Sequence, residues 1–332
     1  MIHKTLNIST SPHITKSIGT EVIMRNVVWA MLPVVGFAVY SFGFNALLVI
    51  VTAVGACLIT EHALCRLSRK ETTVSDWSAI ITGILLGLTL PPIFPLWMTF
   101  TGGVIAIGMG KFIFGGLGYN VFNPALVGRA VLQAAFPVAI TTWYPAFLDD
   151  RFSRISSSVL TFPFMTPVVD GTSGATPLAA FKFDGVPTDV SDLAFGLTSG
   201  SLGETSTVLI LLGGIYLAAR NFLNWRIPLA IFMSVFVFSG ILFLWDSTQY
   251  PSPVFMLLSG GLMLGAVFMA TDMVASPITS LGVVIYGSVI GILVVVIRIW
   301  GGLPEGVMYA ILLGNALSPH IDNLVRHRVY GT

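Results

Sequence analysis

Long apolar stretches separated by short polar segments dominate this chain. The run from Val27 to Thr60 contains no Asp, Glu, Lys, Arg or His, and the Ser-Phe-Gly-Phe-Asn stretch at 41–45 divides it into two predicted helices. Residues 77–110 likewise lack such groups and are divided by the prolines within 91–95, because proline cannot continue a helix interior. A bilayer core needs about 20 mainly apolar residues per helix, so these runs predict four membrane spans.

The remaining apolar runs extend the predicted series to ten spans. A fifth helix is expected from about Phe122 to Thr141, interrupted by Arg129. A long polar loop follows, and then five further apolar runs occur at about 205–219, 227–245, 251–270, 280–297 and 305–321. The pattern therefore predicts five helices on each side of one long loop.

Two pairs of segments indicate that the two sets of five helices are related. Gly83–Gly87 in the third span matches Gly261–Gly265 in the eighth, and Lys111–Leu117 matches Arg298–Leu303. An odd number of spans per unit places the two units in opposite orientation, which is an inverted repeat. Alternatively, each glycine pair only allows two helices to pack closely. The fold class predicted is an all-α polytopic membrane protein of two inverted five-helix repeats joined by a long outer loop.

The distribution of positive charge orients these spans, because Lys and Arg in short loops remain cytoplasmic. With the N-terminus inside, the inner segments contain Lys4, Lys16, Arg25, Arg66, Arg69, Lys70, Lys111, Arg220, Arg226, Arg326 and Arg328, whereas the short outer loops contain only Arg298. The predicted units are a cytoplasmic segment at 1–24, a first repeat at 25–142, a periplasmic loop at 143–204, a second repeat at 205–322 and a cytoplasmic tail at 323–332.

Composition agrees with a membrane protein and excludes other classes. Hydrophobic residues make up 55% of the 332 positions and charged residues only 9%, far below the roughly one quarter usual in soluble domains. The net charge of +1 and the absence of a basic stripe argue against a nucleic-acid partner. The polar start of the chain does not resemble a cleavable signal peptide. Cys57 and Cys65 are spaced for neither a metal site nor a disulfide framework, so we expect them to be packing residues.

One segment of the outer loop indicates a site of chemical modification, Asp170-Gly-Thr-Ser-Gly-Ala-Thr-Pro-Leu178. Its last threonine, Thr176, lies among small residues, and a hydroxyl there can carry a phosphoester. Pro177 favours an extended conformation at Thr176 and is expected to present the hydroxyl rather than bury it. On its own such a segment is also compatible with a simple turn.

This segment resembles the signal at which a flavin transferase attaches flavin mononucleotide (FMN) to threonine in the Rnf and sodium-pumping NADH:quinone reductase families. Further segments resemble the RnfD family in particular: Gly115–Ala125, Trp225–Leu229, Leu258–Asp272 and Arg328–Gly331. The resemblance covers essentially the whole chain. It departs at Met273, where the family usually has proline, and the short N-terminal segment favours Rnf over the reductase.

The resemblance implies a translocase subunit that relays electrons in a ferredoxin:NAD oxidoreductase coupled to Na⁺ or H⁺ translocation. It implies covalent FMN on Thr176, with Asp170 and Ser173 positioning the phosphate or serving transferase recognition. The implied partners are A-, B-, C-, E- and G-type Rnf subunits, the flavin transferase and membrane lipid. The expected location is the bacterial inner membrane with both termini cytoplasmic. Neither a catalytic residue of a complete reaction nor a metal site is expected in this chain.

Two charged residues in apolar segments are candidates for a second ligand, since an intramembrane charge is costly unless paired or hydrated. Arg129 in the fifth span could face the bundle and bind a flavin, or its side chain could extend to the cytoplasmic interface. Asp272, at the inner end of the eighth span, could contact a flavin or an ion, or cap a helix. The third and eighth spans are the interrupted helices, so a noncovalent riboflavin is expected between them if a second flavin is present.

Two other functions remain open from the sequence. A five-plus-five inverted repeat with broken helices also resembles the architecture of urea channels, which would conduct a small solute without flavin. Alternatively, the chain could be a redox-silent scaffold within its complex. The channel would leave the segment that ends at Thr176 unexplained, and purification without covalent flavin would support the scaffold.

Overall fold

The computed structural model describes residues 19–165, 174–204 and 206–325, and these ranges are helical without β-strands. The N-terminal half contains α1 (Thr20–Phe42), α2 (Phe44–Leu67), α3 (Ser78–Leu88), α4 (Leu96–Ile107, continued by a π-helical turn, Gly108–Phe112), α5 (Pro124–Ala135) and α6 (Pro137–Ile140). The connecting loop contains α7 (Pro177–Ala179, continued by a π-helical turn, Ala180–Asp184) and α8 (Val190–Phe195). The C-terminal half contains α9 (Thr207–Ala219), α10 (Arg226–Trp245), α11 (Pro253–Leu258), α12 (Leu262–Leu264, continued by a π-helical turn, Gly265–Met269), α13 (Ser280–Trp300) and α14 (Val307–Leu324).

Within the described residues, four helices are long and apolar enough to cross a membrane, namely α1, α2, α10 and α13. Shorter apolar helices are α3, α4 with its π-helical turn, and α9. The prediction of an all-helical, multi-pass membrane protein is confirmed at this level.

Glycine brings helices of each half into close contact. In the N-terminal half α2 packs against α3 and α4, and in the C-terminal half α10 packs along α13. A Cβ atom added at Gly103 would lie 2.6 Å from the Cβ of Ala56, and one added at Gly287 would lie 2.6 Å from the Cβ of Ala230. Neither position has room for a side chain, so these glycines set how closely the helices approach.

The break that the prolines predict between the third and fourth spans is present, since α3 ends at Leu88 and α4 begins at Leu96. Backbone groups freed at such a break must be satisfied within the membrane. The loop segment before α9 does this: Leu202 N donates to Leu90 O at 3.1 Å, and Gly203 N donates to Leu88 O at 2.6 Å. The connecting loop therefore folds back onto the broken helix of the N-terminal half.

The eighth span is interrupted, as expected, and its last helical turn ends at Met269, where the sequence placed the end of the span. The interruption itself lies at 259–261, between α11 and α12. Two side chains satisfy the freed groups: Arg298 donates to Ser259 O at 2.9 Å, and Glu305 accepts from Gly261 N at 3.1 Å. Consecutive glycines permit this break without proline, and Gly260 adopts a positive φ of 65°.

The predicted interruption of the fifth helix by Arg129 is wrong. Arg129 lies in the middle of α5, which continues to Ala135 and ends where Pro137 begins α6. Arg129 is buried within the protein. Because the guanidinium does not face lipid, it has no reason to disrupt the helix.

Candidate functional site

Thr176 occupies the N-cap position of α7, with the extended backbone that Pro177 favours. Its hydroxyl oxygen Oγ1 accepts a hydrogen bond from Ala179 N at 3.2 Å. The side chain is only 6% exposed, so the expectation that Pro177 presents the hydroxyl is wrong in this conformation. An extended N-cap residue turns its side chain toward the first turn of the helix it starts, and here that turn packs against the C-terminal half.

The segment that follows Thr176 is attached to the C-terminal half by apolar and polar contacts. Phe181 packs against Phe255 of α11, with ring centroids 5.4 Å apart. The Lys182 ammonium donates to three backbone carbonyl oxygens. One is that of Arg298 in the last turn of α13 (2.8 Å), and two follow the helix, those of Gly301 (2.5 Å) and Leu303 (3.2 Å). Desolvation lowers the pKa of Lys182 from its ordinary value.

A cavity of about 250 Å³ adjoins this segment. Its walls include Phe181, Lys182, Tyr250 and Trp300, and the last two rings pack edge to face with centroids 6.5 Å apart. Aromatic walls with a nearby cation are suited to a planar, electron-accepting ring. Two other predicted site residues, Asp170 and Ser173, lie outside the described residues.

Asp272 lies at a second cavity, of about 130 Å³, formed between the two halves. Asn120 donates to Asp272 Oδ2 at 3.1 Å, and Val274 N donates to Asp272 Oδ1 at 3.1 Å. Asp272 therefore accepts a hydrogen bond within a local turn and faces the cavity, and it does not cap a helix, since the next helix, α13, has Thr279 as its N-cap. From α5, the Asn123 side-chain amide donates to Met269 O at 3.2 Å. We name this space the inner cavity.

Sequence reasoning missed Asn120, Asn123 and Lys111 as residues that line the inner cavity. Both asparagines lie in the segment Gly115–Ala125, which resembles the RnfD family. Two amides in a loop between apolar helices were therefore the available signal, although no charge marked them.

Lys111 forms a buried ion pair at the edge of the inner cavity. Its ammonium donates to Glu61 Oε1 and to Ser78 Oγ, each at 2.6 Å, and Thr73 donates to the same Glu61 oxygen. Glu61 is 2% exposed, so its carboxylate is buried within the protein. Pairing with Lys111 allows its carboxylate to be buried.

Arg129 faces the interior and does not extend to the cytoplasmic interface, as it is 7% exposed. It does not line the inner cavity with Asp272. Instead it borders a small cavity with Ser201 and Glu305, between the two helix breaks. The charges of Arg129 and Glu305 both act on the carboxylate of Glu204.

The comparisons with known proteins identify the family of this chain. The model of the NQR2, RnfD, RnfE family matches residues 7–331. The chain is 39% identical over 335 residues to the D-type subunit of the proton-translocating ferredoxin:NAD(+) oxidoreductase complex of Clostridium ljungdahlii, covering 98% of this chain and 96% of the relative. It is 38% identical over 330 residues to the corresponding subunit of the Na(+)-translocating complex of Acetobacterium woodii, covering 98% and 95%.

A third similar protein, the D-type subunit of the ion-translocating oxidoreductase complex of Actinobacillus succinogenes, is 36% identical over 345 residues and covers 98% of this chain and 97% of the relative. The matches run through both halves, the connecting loop and the two helix breaks. Over nearly its whole length, this chain therefore belongs to the NQR2, RnfD, RnfE family.

Proposed function

We propose that this chain is the D-type subunit of an ion-translocating ferredoxin:NAD oxidoreductase complex and that it relays electrons through FMN held covalently on Thr176. Family membership and the subunit names of the relatives support the complex. The proposal that this chain transfers electrons rests on the segment that contains Thr176. Other subunits of the complex are its partners, and a flavin transferase matures it.

The hydrogen bond at Thr176 is compatible with a phosphoester. Oγ1 acts as acceptor for Ala179 N–H, and an ester oxygen retains a lone pair for that role while it loses only the hydroxyl proton. FMN would supply one- and two-electron chemistry when attached. The protein's part is to fix Thr176 at the start of α7 and to hold α7 against the C-terminal half through Lys182.

Burial of Thr176 implies an order of events during maturation. A transferase must reach Oγ1, which is covered in the described conformation. The segment at 174–184 must therefore open before or during attachment and pack against the C-terminal half afterwards. Release of Lys182 from its three carbonyl partners would be a required part of that opening.

A second, noncovalent flavin such as riboflavin would occupy the inner cavity. Amide groups of Asn120 and Asn123 and the carboxylate of Asp272 meet there beside apolar side chains of both halves. Such a mixture of apolar walls and a few converging polar groups is typical of a cofactor site. Arg129 lies elsewhere and is not part of this proposal.

We also propose the finer topology: ten membrane spans in two inverted repeats, at 25–142 and 205–322, in the inner membrane with both termini cytoplasmic and residues 143–204 periplasmic. Each half contains a buried basic residue paired with an acid, Lys111 with Glu61 and Arg298 with Glu305. Lys111 and Arg298 occupy matching sequence positions, which supports the inverted relationship.

Mass spectrometry of the peptide that contains Thr176 tests the central proposal. Protein would be produced with its flavin transferase as wild type, Thr176→Ser and Thr176→Val. We expect a mass increase equal to an FMN phosphoester on wild type, the same adduct in equal or smaller amount on the serine variant, and none on the valine variant. Unmodified Thr176 in wild type despite an active transferase would refute the flavin proposal and favour a scaffold or a channel.

The inner cavity has a separate test. Noncovalent flavin would be extracted from the purified complex and quantified for wild type, Asp272→Asn and Asn120→Ala. We expect both substitutions to reduce bound riboflavin while covalent FMN on Thr176 stays constant. Unchanged noncovalent flavin in both variants, or none in wild type, would exclude this site.

A further inference from the structure

Two carboxylates meet between the helix breaks of the two halves. Glu305 accepts from Gly261 N at 3.1 Å, at the break between α11 and α12. Glu204 directly follows Gly203, which donates to Leu88 O at the break after α3. A Cβ atom added at Gly261 would lie 3.7 Å from Glu204 Oε1, so both carboxylates approach the same glycine.

Arg129 completes this cluster with an unsatisfied donor. It is 7% exposed, and its Nε has no hydrogen-bond partner among the described residues. A buried guanidinium N–H without a partner is costly. Arg129 lines a cavity of about 10 Å³ together with Ser201 and Glu305, which is about the space needed for one water molecule. The structure thus has room for a single bridging water and none there for a flavin.

The two carboxylates differ in the number of hydrogen-bond donors that they meet. Glu305 accepts from the Arg298 guanidinium at 3.3 Å as well as from two backbone N–H groups, Gly261 N and Val307 N. Within the described chain, Ser201 provides the hydrogen bonding to Glu204. Glu204 therefore has more carboxylate lone pairs free to receive a proton than Glu305 has.

The charged side chains around Glu204 favour a proton as its ligand. Arg129 on α5 and Glu305 before α14 act on Glu204, and Arg298 on α13 pairs with Glu305. The four side chains sum to zero when all are ionised. A metal cation would face the Arg129 guanidinium, whereas a proton delivered through one water adds its charge to a carboxylate oxygen without needing further ligands.

We propose that Glu204 is a proton-binding site of this protein, loaded when its flavin is reduced and emptied when the flavin is oxidised, with Arg129 and one water as its positioning groups. This rests on the proposed flavin function. When an electron enters the protein from the electron donor of its complex, a hydronium ion transfers one proton to a Glu204 carboxylate oxygen, which forms the neutral acid and leaves water. On oxidation the electron leaves with the physiological acceptor, and the same O–H bond breaks to return the proton to water.

The cluster lies beside the segment that carries Thr176, which gives a route for the coupling. Lys182 of that segment binds the backbone of Arg298, and the Arg298 guanidinium binds Glu305. A Cβ atom added at Gly260 would collide with Glu305 and with Leu178 of α7. Two successive contacts, Lys182 with Arg298 and Arg298 with Glu305, therefore connect the α7 segment to the carboxylates.

Redox-difference infrared spectroscopy of the purified complex tests this inference. A carboxylic acid C=O stretch should appear on reduction of wild type and disappear completely in Glu204→Gln, whereas Asp246→Asn, which alters a partly exposed carboxylate at the end of α10, should leave it unchanged. Glu204→Asp should retain the signal at a shifted frequency, which tests the site even if the glutamine variant is unstable. Arg129→Met should shift the band.

The outcomes separate the two proposals. Covalent flavin on Thr176 together with an unchanged carboxyl signal in Glu204→Gln would overturn the proton site alone. The absence of flavin from wild type would overturn both. A Glu204 signal that follows sodium concentration at constant pH, and not pH at constant sodium, would show a metal-cation site and so overturn the assignment of the proton.

Discussion

The Lys182 ammonium donates to the backbone carbonyl of Arg298 at 2.8 Å, across more than a hundred residues of sequence. The last carbonyls of a helix have no partner within it, and Lys182 satisfies such a group at the end of α13 together with Gly301 O and Leu303 O. Lys182 thereby provides the polar part of the attachment of the Thr176 segment to the C-terminal half, beside the apolar contact of Phe181 with Phe255.

Replacing that side chain should loosen the segment. In Lys182→Met the three hydrogen bonds are lost while much of the apolar stem is retained. Because Lys182 is partly exposed, we expect a cost of about 1–2 kcal/mol for closing the segment. Hydrogen exchange at 174–186 should then be roughly tenfold faster, with little change in α1 or α2. Lys70→Met, at an exposed lysine, is the control.

The same variant should alter modification of Thr176. If opening limits the transferase, Lys182→Met should be flavinylated faster than wild type in a timed reaction with folded protein. Equal rates would mean that Lys182 does not control access to Thr176, even where hydrogen exchange shows a looser segment.

The buried pair of Lys111 and Glu61 should behave as a unit. Lys111→Met leaves the Glu61 carboxylate buried without its cation, at an expected cost of about 3–5 kcal/mol. Adding Glu61→Gln removes the stranded charge and should restore most of the stability. Thermal unfolding of the single and double variants in detergent measures the coupling. Additive effects would argue that the two side chains contribute independently.

The sequence predicted the membrane class, the break after α3 and most helix positions because apolar runs and prolines act locally. It did not predict which carboxylates are buried, because their neighbours come from distant segments. Glu61 is buried beside Lys111, and Glu204 lies near Arg129 and Glu305. Pairing that compensates a buried charge is a property of the tertiary structure.

The candidate site shows the same division. Thr176 could be selected from its local segment, and Asp272 from its position at the end of an apolar run. The burial of Thr176 could not be predicted from its local segment, since it depends on the packing of α7 and its π-helical turn against α11 and on Lys182. The position of the break within the eighth span was not predicted, because Gly260 and Gly261 allow a break but do not require one.

Asn123 has two separable roles. Its Oδ1 caps α5 by accepting from Ala125 N at 3.0 Å, and its amide donates across to Met269 O. Asn123→Ser should retain a capping acceptor but be too short to reach Met269, whereas Asn123→Ala loses both. We expect a cost of about 1 kcal/mol for the serine variant and about 1 kcal/mol more for the alanine variant. Equal unfolding temperatures for the two variants would contradict a capping contribution.

Close packing of α10 against α13 depends on the absence of a side chain at Gly287. A Cβ atom there would lie 2.6 Å from Ala230 Cβ and 3.1 Å from Ile227 O, so Gly287→Ala must push the helices apart. Such overpacking costs about 1–3 kcal/mol. Gly55→Ala in α2 is the matched control, because no atom lies within 4 Å of its Cβ position, and there the better helix propensity of alanine should be neutral or stabilising. Thermal unfolding of both variants in the same detergent decides the matter: if Gly287→Ala is as stable as Gly55→Ala, close approach at Gly287 does not limit the packing of this helix pair.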